Sequence, residues 1–206
     1  MKHEGILIVV SGFSGAGKGT LMKRLVEEYD GYALSISATT REPRPGEEDG
    51  REYFFLSREQ FEQKIADNAL VEYAEYCGNY YGTPRDYVEG HLAKGHDVIL
   101  EIEIQGALKI KKQYPTALLV FVSTPSAQEL RRRLSGRGTE TEEVIDKRLR
   151  RAAQEAEGIE EYDYLVINDD LETCVRQLHE IIDAAHHTPG RCMEFIEKIR
   201  KDMEEN

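Results

Sequence analysis

The segment SGFSGAGKGT, residues 11–20, combines glycines and a lysine in an order that suits phosphate binding. Gly12, Gly17 and Lys18 fit the pattern G-x-x-x-x-G-K, in which backbone N–H groups and the start of a helix surround a phosphate. The lysine supplies a charge that follows a phosphoryl group during transfer. The alternative is a glycine-rich turn without a ligand. The apolar run ILIVV before the loop and the helical pattern after it favour the phosphate-binding loop.

Gly19 follows the lysine at a position where this motif usually has a Ser or Thr hydroxyl on Mg²⁺. Thr20 comes next and is predicted to take that role, directly or through water. The same Gly-Lys-Gly-Thr order occurs in small kinases of nucleoside monophosphates, adenylate kinases among them. The loop therefore predicts a donor site for ATP with Mg²⁺, formed by Gly12, Phe13, Ser14, Gly15, Ala16, Gly17, Lys18, Gly19 and Thr20.

A second group of cations lies in the segment 35–55, where Arg41, Arg44 and Arg51 precede Tyr53. Arginines hold phosphates through paired hydrogen bonds, and a tyrosine hydroxyl adds a further contact. A solvated charged loop is the competing interpretation. If the loop binds a ligand, the predicted ligand is a second phosphate, which belongs to the acceptor.

The next segment, VEYAEYCGNYYGTPRDYV, carries Glu72, Tyr80, Tyr81 and Thr83. An aromatic ring can stack on a purine while a carboxylate reads its edge. This combination predicts a purine site beside the second phosphate site.

Two acids, Glu101 and Glu103, end the apolar run DVILEI. Side chains two residues apart on a strand face the same side, and ligands of open α/β sheets bind at the carboxyl ends of strands. Solvated acids at a strand end are the alternative. Glu101 is predicted to orient Mg²⁺ through water.

Apolar runs and helical patterns alternate along the chain, which predicts a parallel sheet covered by helices on both faces. The predicted buried strands are 6–10, 97–102, 117–122 and 164–167, and the predicted helices are 18–29, 85–94, 105–113, 126–135, 141–157 and 171–185. The segment 35–83 has short strand patterns at 53–55, 70–76 and 79–81, with a helix at 57–68 capped by Ser57. It is predicted to form a small mixed α+β lobe.

The chain has 206 residues and a formal charge of −12, so no basic face for nucleic acid is expected. Its apolar runs are too short to span a membrane, and no export signal is recognised, so a cytoplasmic protein is predicted. Three scattered cysteines, Cys77, Cys174 and Cys192, indicate reduced thiols.

The segments quoted above resemble guanylate kinases, in order and at matching spacing over about residues 5–185. Further matching segments are LEIEIQGA, RLSGRGTETEEVIDKRL and INDDL. The resemblance implies a P-loop kinase core at 1–34, 84–123 and 158–185, a GMP-binding lobe at 35–83 and a helical lid at 124–157. It leaves 186–206 as a tail. Met193, Ile196, Ile199 and Met203 of the tail fall at helical spacing, which predicts a terminal helix packed on the core, with a subunit contact as the alternative.

The resemblance also implies a reaction, ATP + GMP → ADP + GDP, with Mg²⁺ as cofactor and dGMP as a further acceptor. Its implied GMP site comprises Ser37, Arg41, Arg44, Tyr53, Glu72, Tyr81, Thr83 and Glu103. On the ATP side it adds Arg133, Arg137 and Asn168 to the loop, and its implied catalytic residues are Lys18, Arg41, Arg137 and Arg148. At position 103 the family usually has Asp, so the longer Glu103 changes the reach of that carboxylate.

Two other functions fit parts of this pattern. A P-loop kinase of a sugar phosphate, such as ribose 1,5-bisphosphate, would not need the purine readers Glu72, Tyr81 and Thr83. A guanylate-kinase-like binding module would have a degraded loop or lid, whereas Lys18, Arg137 and Arg148 are all present. The sequence leaves open whether the enzyme is a monomer or a homodimer.

Overall fold

The computed structural model describes residues 4–76, 78–136 and 141–205. Its strands are β1 (Leu7–Gly12), β2 (Tyr32–Leu34), β3 (Ala38–Thr39), β4 (Phe54–Phe55), β5 (Leu70–Tyr76), β6 (Asn79–Pro84), β7 (Asp97–Glu101), β8 (Leu118–Ser123) and β9 (Tyr164–Ile167). Its helices are α1 (Lys18–Glu28), α2 (Arg58–Ala66), α3 (Arg85–Leu92), α4 (Ile104–Gln113), α5 (Ala127–Ser135), α6 (Glu142–Ala156), α7 (Leu171–His186) and α8 (Met193–Glu204).

A five-stranded sheet in the order β2-β7-β1-β8-β9 forms the centre of the core. All its pairings are parallel, and β1 lies in the middle, where Val9 pairs with Leu100 of β7 and Leu119 of β8. These three side chains are buried, as expected for apolar strands covered on both faces. The carboxyl ends of β1 and β7 therefore lie side by side at one edge of the sheet.

Helices cover both faces of this sheet. On one face, Ile8 and Val120 pack with Leu25 of α1 and Leu178 of α7. On the other face, Leu7, Val9 and Leu119 pack with residues of α3 and α4. The predicted parallel sheet with helices on both sides is confirmed.

A smaller, mixed sheet in the order β4-β3-β6-β5 occupies the segment predicted as a lobe. β5 and β6 form an antiparallel hairpin, and Phe61 of α2 is fully buried with Ala38 and Leu70. Ser57 begins α2 with a capping box, because its side chain accepts from the Gln60 N–H while the Gln60 side chain accepts from the Ser57 N–H. The predicted cap is confirmed.

Two short strands were absent from the sequence prediction. β2 has three residues and adds an edge to the main sheet, while β3 has two residues. Segments this short carry no readable alternation, and their pairing depends on β7 and β6, which are distant in the chain.

The two helices of the predicted lid form their own small core. Leu134 of α5 and Ile145 of α6 are buried together, and Phe13 of the glycine-rich loop packs against them. Ser126 and Thr141 cap the two helices by accepting backbone N–H groups. Phe13 therefore joins the loop to the lid through its side chain.

The prediction that the tail helix packs on the core is wrong. α8 forms as expected, but none of its residues is buried, and Met203 is 75% exposed. The short 3₁₀ turn at Pro189–Arg191 separates α8 from α7. Charged residues occupy most of the other positions of α8.

Removing α8 is therefore expected to leave the core intact. A chain that ends at Arg191 should keep its kcat within about twofold and lose less than about 4 °C in Tm, because no buried side chain is removed. Thermal unfolding and steady-state kinetics measure both quantities. A chain that ends at Ile181 is the control, since it also removes the buried Ile182 and Ala185 of α7 and should unfold far more easily. A large loss of Tm on removal of α8 alone would contradict the prediction.

Candidate active site

The glycine-rich loop connects β1 to α1 and depends on close backbone contacts. A Cβ at Gly12 would lie 2.1 Å from the carbonyl oxygen of Val122, so only glycine fits beside β8. Gly17 has φ of 90°, in the left-handed region, and a Cβ there would lie 2.6 Å from Nδ2 of Asn168. These contacts fix the path of the loop before any ligand is bound.

Lys18 opens α1 and turns back over the loop. Its Nζ donates to the carbonyl of Gly12 at 2.9 Å and to that of Phe13 at 3.4 Å, and lies 3.9 Å from Glu101. The predicted phosphate-binding lysine and the acid at the end of β7 are thus brought together.

Arg133 and Asn168 hold the loop from outside. Nη1 of Arg133 donates to the carbonyl of Ala16 and Nη2 to that of Asn168, while Nδ2 of Asn168 donates to the carbonyl of Ala16 at 2.8 Å. Hydrogen bonds from Arg132 and Arg133 lower the pKa of Glu129 to about 2. The two residues that sequence assigned to ATP are therefore also structural braces of the loop.

Arg148 of α6, in the segment predicted as a lid, contacts the loop. Its Nη1 donates to Oγ of Ser14 at 2.8 Å. Arg137, the other predicted lid arginine, lies outside the described residues. Thr20 lies in the first turn of α1 and is exposed.

Arg41 of the lobe is held by a carboxylate that the sequence analysis did not single out. Its Nη2 lies 3.0 Å from each carboxylate oxygen of Glu47, and the backbone N–H of Arg44 donates to the same carboxylate at 2.7 Å. These contacts, the Arg44 N–H first, hold the pKa of Glu47 below its ordinary value. Glu47 therefore fixes both the guanidinium of Arg41 and the turn that carries Arg44.

Aromatic rings surround Arg41. Its guanidinium lies 5.4 Å from the ring centre of Tyr53, and the rings of Tyr53 and Tyr81 meet edge to face at 6.1 Å. The Ser37 carbonyl accepts from the N–H of Phe54, which joins β3 to β4 beside these rings. Arg51 of the same loop pairs with Glu48 and Glu52.

Glu72 and Thr83 form the polar pair of the predicted base site. Oγ1 of Thr83 donates to Oε1 of Glu72 at 2.9 Å across the β5–β6 hairpin. Burial raises the pKa of Glu72, and the bond from Thr83 opposes that shift. A Cβ at Gly106 would lie 3.7 Å from Oε2 of Glu72, so the start of α4 borders the second carboxylate oxygen.

Glu101 and Glu103 have different neighbours. Burial raises the pKa of Glu101, while Lys18 lowers it and Glu103 raises it further. The strand ends at Glu101, and Glu103 occupies the N-cap position of α4, so the strand alternation that grouped the two acids does not extend to Glu103. The carboxylate of Glu103 lies 3.0 Å from Nη2 of Arg151.

The sequence analysis did not identify three residues that contact the predicted site residues: Glu47, Glu129 and Arg151, the partner of Glu103. Acidic residues are abundant around Glu47 and Glu129, so no local signal distinguishes the acid that contacts an arginine. In the described residues, no three His, Cys, Asp or Glu side chains form a candidate metal cluster. The same part of the chain contains no helix that is long and apolar enough to cross a bilayer.

The core is a parallel sheet, a glycine-rich loop with Lys18 follows its middle strand, and Arg148 of α6 contacts that loop. This combination defines a P-loop kinase. The solved structure of a shikimate kinase from Bacteroides thetaiotaomicron shares this fold, with a TM-score of 0.50 at 17% identity over 86% of this chain and 98% of that one. A guanylate kinase structure from Anaplasma phagocytophilum matches with a TM-score of 0.73 at 33% identity over 92% of this chain and 90% of that one.

Sequence comparisons narrow the class to one family. The guanylate kinase family model matches residues 4–185. A guanylate kinase of Desulfitobacterium hafniense is 53% identical over 88% of this chain and 90% of its own, and one of Bacillus subtilis is 50% identical over 90% and 92%. The chain belongs to the guanylate kinase family and is an ATP:GMP phosphotransferase.

Proposed function

We propose that the two groups of residues described above bind ATP and GMP at one edge of the sheet and align them for direct phosphoryl transfer. The observation that carries this proposal is the segment from Glu101 to Gly106. At one end it contacts Lys18 of the loop, and at the other it borders the carboxylate of Glu72. One short segment thus joins the donor side to the base-reading side.

Glu72 and Thr83 would read guanine. The pairing edge of guanine offers two donor groups, N1–H and N2–H₂, to a carboxylate, and an acceptor, O6, to a hydroxyl. Adenine has an unprotonated N1 at that place, which a carboxylate repels. A partly buried carboxylate with one oxygen bonded to Thr83 therefore favours guanine over adenine. In this proposal Ser37 also reads guanine. Glu103 contributes to the GMP site, as the resemblance implies.

Arg41, Arg44, Tyr53 and Tyr81 would hold the phosphate of GMP. A phosphate oxygen of GMP then attacks the γ-phosphorus of ATP in line. The acceptor is already an anion at neutral pH, so the reaction needs no protein base. Lys18, Arg41, Arg148 and Arg137 bring the two anions together and stabilise charge that develops in the transition state.

Mg²⁺ is proposed as the cofactor, with Thr20 and Glu101 as its protein contacts, directly or through water. Mg²⁺ prefers oxygen ligands and usually combines one or two protein oxygens with substrate phosphates. Gly19 lies beside the second of these residues, since a Cβ at Gly19 would be 4.0 Å from Oε2 of Glu101, an ordinary contact distance. When bound, Mg²⁺ neutralises charge on the phosphate oxygens.

dGMP is proposed as a second acceptor. The proposed GMP contacts go to the base and the phosphate, and none of them requires the 2′-hydroxyl. The enzyme is accordingly expected to phosphorylate both nucleotides.

The phosphate site is tested by replacing Arg41 with alanine. We expect KM for GMP to rise by about tenfold to a hundredfold, because a charge-assisted hydrogen bond contributes about 1.5–3 kcal/mol. Steady-state kinetics with a coupled ADP assay measure this, and KM for ATP should change little.

Arg51→Ala is the matched control, since Arg51 lies in the same loop and bonds to Glu48, Glu52 and the carbonyl of Gly46. It should leave KM for GMP near the wild-type value. Equal effects of the two variants would refute the specific role of Arg41.

A further inference from the structure

Arg151 links the lid to the core at the edge where the two substrates are proposed to meet. It lies on α6 three residues after Arg148, and Nη2 donates to Oε2 of Glu103 at 3.0 Å. Its Nε donates to Glu155 at 2.9 Å on the same helix. Glu103 is the N-cap residue of α4, so this ion pair joins a lid helix directly to a core helix.

The charges around this link favour an arginine there. Glu155 is largely shielded from solvent, and its pKa is raised by burial and, in addition, by the nearby charge of Glu103. Glu101 adds a further carboxylate with a 45% exposed side chain, and its pKa is raised by burial and, in addition, by the charge of Glu103. Glu103 therefore repels the carboxylates of Glu101 and Glu155, and the charges of Lys18 and Arg151 oppose that repulsion. Arg151 therefore offsets repulsion between the lid helix and the core.

The other attachment of α6 is an apolar contact along its length. Ile145 and Ala152 are buried with Leu134 of α5, and Leu149 and Phe13 of the loop pack against them. Arg151 precedes Ala152, so its ion pair with Glu103 adds a polar contact to the core beside this apolar stripe. Together these contacts set the position of the helix segment that carries Arg148 to Ser14.

We propose that Arg151 is a positioning residue for phosphoryl transfer, which acts by holding α6 to Glu103 so that Arg148 faces the phosphate-binding loop. This inference rests on the proposed role of Arg148. It also gives Glu103 a role in addition to guanine recognition. The sequence analysis had assigned Arg151 only to a solvated position or an ion pair.

The size of the effect follows from exposure. The side chains of Arg151 and Glu103 are 53% and 72% exposed, and exposed pairs contribute modestly and are weakened by salt. Loss of the pair is expected to lower kcat by about twofold to fivefold. The loss should be largest at low ionic strength and shrink as salt is added.

The test is a double-mutant cycle with Arg151→Gln, Glu103→Gln and the two combined, measured as kcat and as KM for each substrate. If Arg151 acts through Glu103, the double variant is no slower than the slower single variant. Arg151→Gln should lower kcat without changing KM for GMP. It should also speed amide hydrogen exchange in 142–156.

Arg150→Gln is the matched control, because Arg150 is the exposed neighbour of Arg151 on the same helix. Identical kcat values and exchange rates for Arg150→Gln and Arg151→Gln would overturn the proposal. It would also be overturned if the decrease in kcat of the double variant equalled the product of the decreases in Arg151→Gln and Glu103→Gln.

Arg148→Gln separates this proposal from the one on which it rests. If Arg148→Gln lowers kcat strongly while Arg151→Gln leaves it unchanged, only the positioning role is refuted. If Arg148→Gln leaves kcat unchanged, the catalytic role of Arg148 is refuted and, with it, the route by which Arg151 is proposed to act. In all variants, circular dichroism and Tm verify that the protein is folded.

Discussion

Replacing Lys18 with alanine is expected to lower kcat by about 10²–10³-fold, the loss seen when one fixed stabilising group is removed from a transition state. The Nζ of Lys18 is held above the loop by the carbonyls of Gly12 and Phe13, and its other neighbour is the carboxylate of Glu101. The charge is therefore positioned before ATP binds. Because developing charge is greatest in the transition state, kcat should fall much more than the affinity for GMP.

Lys23→Ala is the control for this variant, because Lys23 lies on the same helix with a 77% exposed side chain that pairs only weakly with Glu27. It should retain wild-type kcat. Single-turnover measurements of γ-phosphoryl transfer exclude a change in product release. If Lys18→Ala kept more than about a tenth of wild-type kcat, the transition-state role would be wrong.

Replacing Glu72 with glutamine is expected to lower kcat/KM for GMP by about 10²-fold, while kcat/KM for AMP stays the same or rises. The amide keeps the shape of the side chain but removes the charge, and it can place an N–H opposite a guanine donor. Hydrogen bonds to charged groups contribute about 1.5–3 kcal/mol each, and a donor left without a partner adds to the loss. A coupled assay with GMP, dGMP, IMP and AMP measures the change in preference.

The dependence on pH gives an independent readout of the same variant. Burial raises the pKa of Glu72, so acid protonates this carboxyl earlier than an ordinary glutamate. In the wild-type enzyme, KM for GMP should therefore rise as the pH falls towards that pKa. This rise should be absent in Glu72→Gln. A raised folded-state pKa means that the ionised form costs stability at neutral pH, so Glu72→Gln should not lower Tm there.

Glu75→Gln serves as the matched control for Glu72→Gln, since Glu75 is exposed on the same strand. Glu75→Gln should alter neither the preference for GMP over AMP nor the rise in KM for GMP at low pH. An unchanged ratio of GMP to AMP turnover in Glu72→Gln would show that another group reads the base.

The parts of the site that sequence could predict are local in the chain. The phosphate-binding loop is one continuous segment between β1 and α1, so the spacing of Gly12, Gly17 and Lys18 carries its geometry. The lengths of the buried strands β7 and β8 were likewise readable, because apolar runs mark strands covered on both faces.

The parts that sequence did not predict depend on partners distant in the chain or on one choice among similar residues. Arg151 and Glu103 are 48 positions apart, and nothing local to either residue indicates the pair. Glu47 is one of several acids in its loop, and only the fold of the turn places it on Arg41. The exposed position of α8 was also unreadable, because an apolar stripe at helical spacing looks the same whether or not a core lies beside it.

The contact between Arg41 and Glu47 has a consequence for which anions the lobe admits. In the proposed GMP complex the phosphate would share the guanidinium with Glu47, whose negative charge weakens the attraction of any anion to Arg41. Free inorganic phosphate would bind through this weakened attraction alone. A nucleotide would add the proposed contacts of its base with Glu72 and Thr83. The lobe would thereby discriminate against free phosphate and respond to the whole nucleotide.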